Sequence, residues 1–210
     1  MAIVLHGERF WYSPYVFTVF VGLREKGLDF TVKDVALDRG EQKSAAFRAS
    51  SPTARVPALD HDGFVLSESS AIVEYLDDAF PGPKLFPADV KDRARARQVL
   101  AWIRSDLMPL REQRATSTMF YTRATAPLDA AGQAAAEKLV LVASDLVHDG
   151  KTSLFGAFTI ADADLSFMLH RLILNGHEVP AKLRAFAEAV WKRPSVREFV
   201  EHARPAFVPY

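Results

Sequence analysis

The hydrophobic pattern of this chain changes period once, at Pro81-Gly82-Pro83, and that switch constrains the fold more than any single motif. Before it, short apolar runs alternate with amphipathic segments; from Val90 onward only helical spacing remains. Residues 3–5 form a short strand-type run. After Phe10-Trp11-Tyr12 and Ser13-Pro14, the residues Val16, Val19, Phe20 and Leu23 fall at i, i+3, i+4 and i+7, the stripe of a helix packed on a core. Ser13 as N-cap with Pro14 behind it starts that helix, because the cap oxygen accepts an orphan N–H and proline has none to leave unpaired; Gly27 closes it. Residues 30–35 alternate with period two, as a half-buried strand does. A polar connection with a short helix over 38–49 comes next. Two short apolar runs, 58–60 and 64–66, flank His61-Asp62-Gly63 as a hairpin, and Ser67-Glu68-Ser69-Ser70 opens a helix with Ile72, Val73, Tyr75 and Leu76 on its apolar face. The spacing predicts a βαβ-α-ββα domain over residues 1–82, then an all-α domain over 88–210 with helices at 91–114, 130–148, 159–174 and 181–203.

Composition narrows the chemistry. The chain has 210 residues, room for one full or two small domains, and its 49% hydrophobic and 25% charged residues are those of a folding chain. Lys+Arg and Asp+Glu number 26 each, so no overall field draws it to nucleic acid or anionic lipid. Arg93, Arg95 and Arg97 spread round their helix instead of forming one basic face. There is no cysteine, which removes disulfides, Cys-ligated metals and any protein thiol. The six histidines show no metal-ligand spacing, and no phosphate loop, dinucleotide fingerprint or nucleophile elbow occurs. No apolar run approaches the roughly 20 residues that span a bilayer, and Met1-Ala2-Ile3-Val4-Leu5 lacks signal-peptide features. The expectation is a cytoplasmic protein without metal, membrane or nucleic-acid partners.

Ser13-Pro14-Tyr15-Val16 sits between first strand and first helix, where a thioredoxin-like domain carries a Cys-x-x-Cys pair. A helix N-terminus with a serine hydroxyl suits an anionic sulfur, and here that sulfur has to come from a ligand. Lowering a thiol pKa from ~8.5 by two units takes about 2.7 kcal/mol of preference for the thiolate, within reach of one hydroxyl and a helix end. Ser before Pro is also an ordinary N-cap, and both readings stand at this point.

Four segments, Ser13-Pro14-Tyr15, Gly40-Glu41-Gln42-Lys43, Arg55-Val56-Pro57-Ala58-Leu59 and Leu66-Ser67-Glu68-Ser69-Ser70-Ala71-Ile72, occur in the order and spacing of cytosolic glutathione transferases. The resemblance continues in Trp102-Ile103-Arg104-Ser105-Asp106-Leu107-Met108-Pro109, Thr159-Ile160-Ala161-Asp162 and Arg193-Pro194-Ser195-Val196, over essentially the whole chain. The chain resembles a bacterial member of the serine-type branch. That resemblance implies Ser13 donating to the glutathione sulfur, with Tyr12 and Tyr15 competing for the role. It implies a cis Pro57 that lets the Val56 backbone pair with the cysteinyl part, and Glu68 and Ser69 on the γ-glutamyl end. Gln42 and Lys43 match positions for the glycyl carboxylate, though many relatives have His at Gln42. It implies glutathione as co-substrate, a homodimer, and an apolar electrophile or hydroperoxide as second substrate.

An electrophile site between domains would draw on Phe10, Trp11 and Tyr12, then Trp102, Met108, Arg111, Met119, Phe120 and Tyr121, with Phe207 and Tyr210 closing it. Core packing explains most of these aromatics equally well. Asp106 is a candidate for the glutathione ammonium of a neighbouring subunit. Thr159 and Asp162 read as a capping box, and Asp164 beside them finds no metal partners. Beside thiolate transfer and hydroperoxide reduction, the residues allow glutathione-dependent cis–trans isomerisation and a non-catalytic glutathione-binding module.

Overall fold

A four-stranded mixed sheet in the order β2-β1-β3-β4 organises the first part of the chain in the computed structural model, which describes residues 1–209. Tyr210 lies outside the described residues. Two units emerge, Met1–Leu85 together with the residues from Arg197 onward, and Phe86–Val196.

In the first unit, β1 (Ile3–Glu8) pairs parallel with β2 (Thr31–Val35) across the helix α1 (Pro14–Glu25). The strand β3 (Ala58–His61) runs antiparallel to β1, and β4 (Phe64–Ser67) antiparallel to β3. Helix α3 (Ser69–Ala79) packs beside α1. The predicted βαβ-α-ββα order and its thioredoxin-like pattern are present. α1 is buried continuously from Val16 to Leu23, wider than the stripe read from its apolar spacing. Gly27 closes it with φ +67, a backbone region that costs glycine least, and the Gly27 and Leu28 N–H groups bond back to Arg24 and Leu23 carbonyls.

The helix expected over 38–49 is not continuous. Two single 3₁₀ turns, Leu37–Arg39 and Glu41–Lys43, precede a six-residue helix α2 (Ala45–Ser50). Gly40 at φ 74 breaks the run, and Ser44 caps the short helix by accepting the Phe47 N–H.

The second unit is helical: α4 (Val90–Ser105), α5 (Met108–Gln113), α6 (Ser117–Phe120), α7 (Ala130–Leu146), α8 (Ile160–Leu174) and α9 (Ala181–Trp191). Asp89 and Asp129 cap α4 and α7 through their carboxylates, which also oppose the positive helix ends. α8 is buried from Ile160 to Leu172 and forms the centre of this unit. Asp162 accepts the Thr159 N–H at 2.6 Å and hydroxyl at 2.8 Å and the Leu154 N–H at 2.6 Å, while burial pushes its carboxyl up to about 6. The capping reading of Thr159 and Asp162 is thereby observed. Asp164 pairs with Arg104 at 2.8 Å.

Both long helices at the ends of this half are divided. The segment 91–114 splits after Ser105, with Pro109 in the first turn of α5; the segment 181–203 splits at Lys192-Arg193, and α10 (Pro194–Val200) restarts on Pro194. Proline has no N–H to continue a ladder and fits a first turn. From Arg197 the chain groups with the first unit, although its helical pattern placed it with residues 88–210. Phe199 packs on Trp11, Phe17 and Phe20, and Glu198 holds Arg24 with bonds of 2.9 and 2.6 Å. Among the described residues no helix is long and apolar enough to cross a membrane, and no group of three His, Asp or Glu side chains is placed to hold a metal ion.

Candidate functional site

Strand directions alone gather the candidate residues at one edge of the sheet. β1 and β2 are parallel, so both end there; β3 begins there, because Ala58 lies opposite His6; β4 ends there, because Ser67 lies opposite Ala58. The chain leaves β1 toward Ser13, leaves β2 toward Gln42 and Lys43, enters β3 through Val56 and Pro57, and leaves β4 into Glu68 and Ser69. Seven residues scattered from position 13 to 69 therefore share one end, the end at which α/β sheets bind ligands.

Ser13 is 9% exposed and is the N-cap of α1, its Oγ accepting the Val16 N–H at 3.3 Å. Capping uses one lone pair of a hydroxyl that has two, together with one proton to donate. Cap and sulfur donor are thus compatible roles. The Ser13 N–H is committed elsewhere: it donates to Glu8 Oε1 at 2.6 Å, as does the Tyr12 N–H, and the Phe10 N–H donates to Glu8 Oε2 at 2.6 Å. Glu8 is 2% exposed; burial pushes its carboxyl above the ordinary value, while these N–H groups and that of Trp11 pull the other way. Trp11, in the middle of the loop, has φ 53, stacks on His202 at 3.6 Å and gives its carbonyl to Arg204 Nε at 2.9 Å. Arg9 reaches Asp38 at 2.5 Å and so ties the loop to the connection that carries Gln42.

The other expected residues are arranged as follows. The Val56–Pro57 peptide is cis, and Val56 packs against the small cluster of Val35, Phe47 and Ala58. Glu68 is the N-cap of α3 at φ 73, outside helical space, with Oε1 accepting the Thr53 hydroxyl at 3.1 Å; Ser69 behind it is buried. Positive φ at a non-glycine residue costs on the order of 1–3 kcal/mol and persists where surrounding structure imposes it, often beside a ligand. Gln42 lies in the second 3₁₀ turn with its Oε1 buried and unpartnered, whereas Lys43 is exposed.

The electrophile candidates divide between the units. Phe10 is 1% exposed, part of the first unit's core, and meets Phe207 at 5.9 Å; Tyr12 stacks on Phe10 at 6.1 Å and meets the same Phe207. In the second unit Trp102 and Tyr121 are half-buried, Met108 is 42% exposed, and Arg111 donates to the Arg104 carbonyl at 2.8 Å. Asp106, proposed from sequence for a neighbouring ammonium, holds Lys138 at 2.5 Å and accepts the Trp102 Nε1–H at 3.0 Å, and Lys138 keeps its carboxyl below the ordinary range.

Three side chains at this edge escape motif reading: Glu8, Arg204 and Thr53. Their signal in sequence is slight, since two of them act on backbone groups that every residue carries.

A thioredoxin-like unit and a helical unit in one chain form a recognisable class. Residues 12–79 match the glutathione S-transferase N-terminal domain and residues 89–204 the glutathione S-transferase C-terminal domain; the chain belongs to the glutathione S-transferase family. A solved glutathione transferase homolog from Burkholderia, strain BGR1, with bound glutathione, is 42% identical, with a TM-score of 0.78 over 96% of this chain and 97% of that one. Maleylpyruvate isomerase from Ralstonia sp is 36% identical over 105 residues, 50% of each chain. Maleylacetoacetate isomerase from Pseudomonas aeruginosa is 40% identical over 104 residues, 48% of this chain and 49% of its own. The chain spans about half the length of these curated relatives it matches.

Proposed function

We propose that this protein binds glutathione at the sheet edge, favours its thiolate through the Ser13 hydroxyl, and directs that thiolate at an electrophilic carbon. The observation that carries the reading is the buried Ser13 cap, whose Oγ accepts the Val16 N–H and so keeps its own proton to meet a sulfur. In this reading the chain works as a serine-type transferase. The Val56 backbone pairs with the cysteinyl part of the peptide as an added strand. Ser69 and the N-terminus of α3 take the γ-glutamyl carboxylate, and Glu68 faces its ammonium. Gln42 and Lys43 serve the glycyl end. Phe10, Tyr12, Trp102, Met108, Arg111 and Tyr121 belong to the electrophile side, and a cytoplasmic homodimer is the working form. Attack on carbon forms the sulfur–carbon bond as the leaving group departs with its electron pair; a hydroperoxide is the alternative electrophile for the same thiolate.

Two curated relatives are named isomerases, which favours a second reading, glutathione-dependent cis–trans isomerisation. There the thiolate adds to one carbon of a cis double bond, the resulting single bond rotates, and expulsion of the thiolate restores glutathione. Incubation with glutathione and either an aryl halide or a maleyl-type cis-dienoate separates the readings. Transfer consumes glutathione and gives a conjugate; isomerisation gives the trans acid with glutathione unchanged. Bound glutathione with neither product leaves a binding module in place of an enzyme.

A further inference from the structure

The loop between β1 and α1 carries four consecutive residues, Arg9 to Tyr12, before the candidate sulfur donor, and a loop of that kind would ordinarily leave its N–H groups to water. Here three of its backbone N–H groups converge on one buried carboxylate. Oε1 of Glu8 takes Tyr12 and Ser13, and Oε2 takes Phe10, all at 2.6 Å. A carboxylate is the only side chain with two acceptor oxygens and no donor, so no neutral residue of this length satisfies the three N–H groups together.

We propose that Glu8 is a positioning residue for thiol activation, fixing the Ser13 backbone so that its hydroxyl meets the sulfur of bound glutathione. The inference rests on the thiolate reading given above. Electrostatics sharpen it, because a negative charge near a thiolate opposes the thiolate, and removing the charge alone would make the thiol more acidic. Loss of the anchor acts in the other direction, by freeing the hydroxyl that favours the anion. The sign of the change therefore separates positioning from charge.

Glu8→Gln keeps the length and one acceptor oxygen but turns an NH₂ toward N–H donors. In the full-length protein the variant is expected to raise the pKa of bound glutathione relative to the native protein and to lower kcat by ~10–100-fold with KM for glutathione within about twofold, since a displacement of about 1 Å can cost that much in rate. Glu8→Asp, which keeps charge but shortens reach, is expected to fall between the two and serves if Glu8→Gln does not fold. Unchanged or lowered thiol pKa in a folded Glu8→Gln overturns the inference, even where the variant melts earlier. Independently of any variant, amide exchange of the unmodified protein is expected to show Tyr12 and Ser13 protected without glutathione; rapid exchange at both also overturns it. A native protein that binds glutathione without lowering its thiol pKa sinks the thiolate reading itself, and that outcome is visible before any variant is made.

Discussion

Glu8 Oε1 accepts the Ser13 backbone N–H at 2.6 Å, so the last residue of the first strand holds the first cap of the first helix. Helix cap and the proposed sulfur donor are compatible roles for Ser13, because capping uses only one lone pair of the hydroxyl. The Ser13 N–H satisfies Glu8, one Oγ lone pair satisfies Val16, and the hydroxyl proton remains for a ligand.

Glu68 joins a strained backbone to a charge. At φ 73 a glycine is at ease and any other residue is not, so Glu68→Gly is expected to be more stable to urea than Glu68→Ala by ~1 kcal/mol. Both are expected to bind glutathione more weakly, and Glu68→Gln, which removes only the charge, to raise KM by about tenfold with kcat retained. Equal stability of the glycine and alanine variants contradicts the strain; unchanged KM in Glu68→Gln contradicts the ammonium contact.

Arg204 holds the same loop as Glu8, from the opposite polarity. It donates to the Trp11, Val200, His202 and Phe199 carbonyls, each at 2.9 Å. Arg204→Ala is expected to lose about 2 kcal/mol, or roughly 4–8 °C in Tm, and to shift Trp11 emission to the red as its stacking on His202 loosens. Arg204→Lys is expected to recover only part of this, for want of the planar fork. Differential scanning calorimetry and tryptophan fluorescence are the checks, and an unaltered melting curve contradicts a stabilising role for Arg204.

Much of this frame is legible in the chain, and the illegible parts share a cause. Ser13-Pro14 fixes the start of α1 and the turn His61-Asp62-Gly63 fixes the hairpin, because each acts through local backbone geometry, whereas the four segments at Ser13, Gln42, Val56 and Glu68 stand out through the family resemblance. Helix breaks at Pro109 and Pro194 compete in the letters with apolar spacing that runs on across them, whereas Gly40 lies in a polar connection with no periodicity to mark the break. Glu8 and Arg204 were not readable, since the partners of both are backbone groups and the Trp11 partner of Arg204 lies 193 positions away. The return of the residues after Arg197 to the first unit is likewise a matter of which aromatics meet, not of periodicity.

His170 gives stability a pH dependence. It is buried, stacks on Trp191 at 3.7 Å, and its Nδ1 lies 2.9 Å from the Ser166 carbonyl oxygen; burial lowers its pKa from 6.5 to about 4. The folded state prefers the neutral ring, so this stabilisation is complete above the unfolded value and is lost as pH falls from 6.5 toward about 4, amounting to about 3 kcal/mol. Asp162, raised to about 6, has the opposite slope over the upper part of its own window from 3.8 and is common to both proteins compared. Urea unfolding of native protein and His170→Gln at pH 7 and pH 5 is expected to show a smaller acid loss in the variant. Identical losses contradict it.

The most direct measurement is the ultraviolet absorbance of bound glutathione thiolate against pH, for the native protein and Ser13→Ala. A native thiol pKa well below ~8.5 that returns toward that value in Ser13→Ala is the expected result, with glutathione still bound by both. The same depressed pKa in both proteins contradicts Ser13 as the sulfur donor and passes the role to Tyr12 or Tyr15.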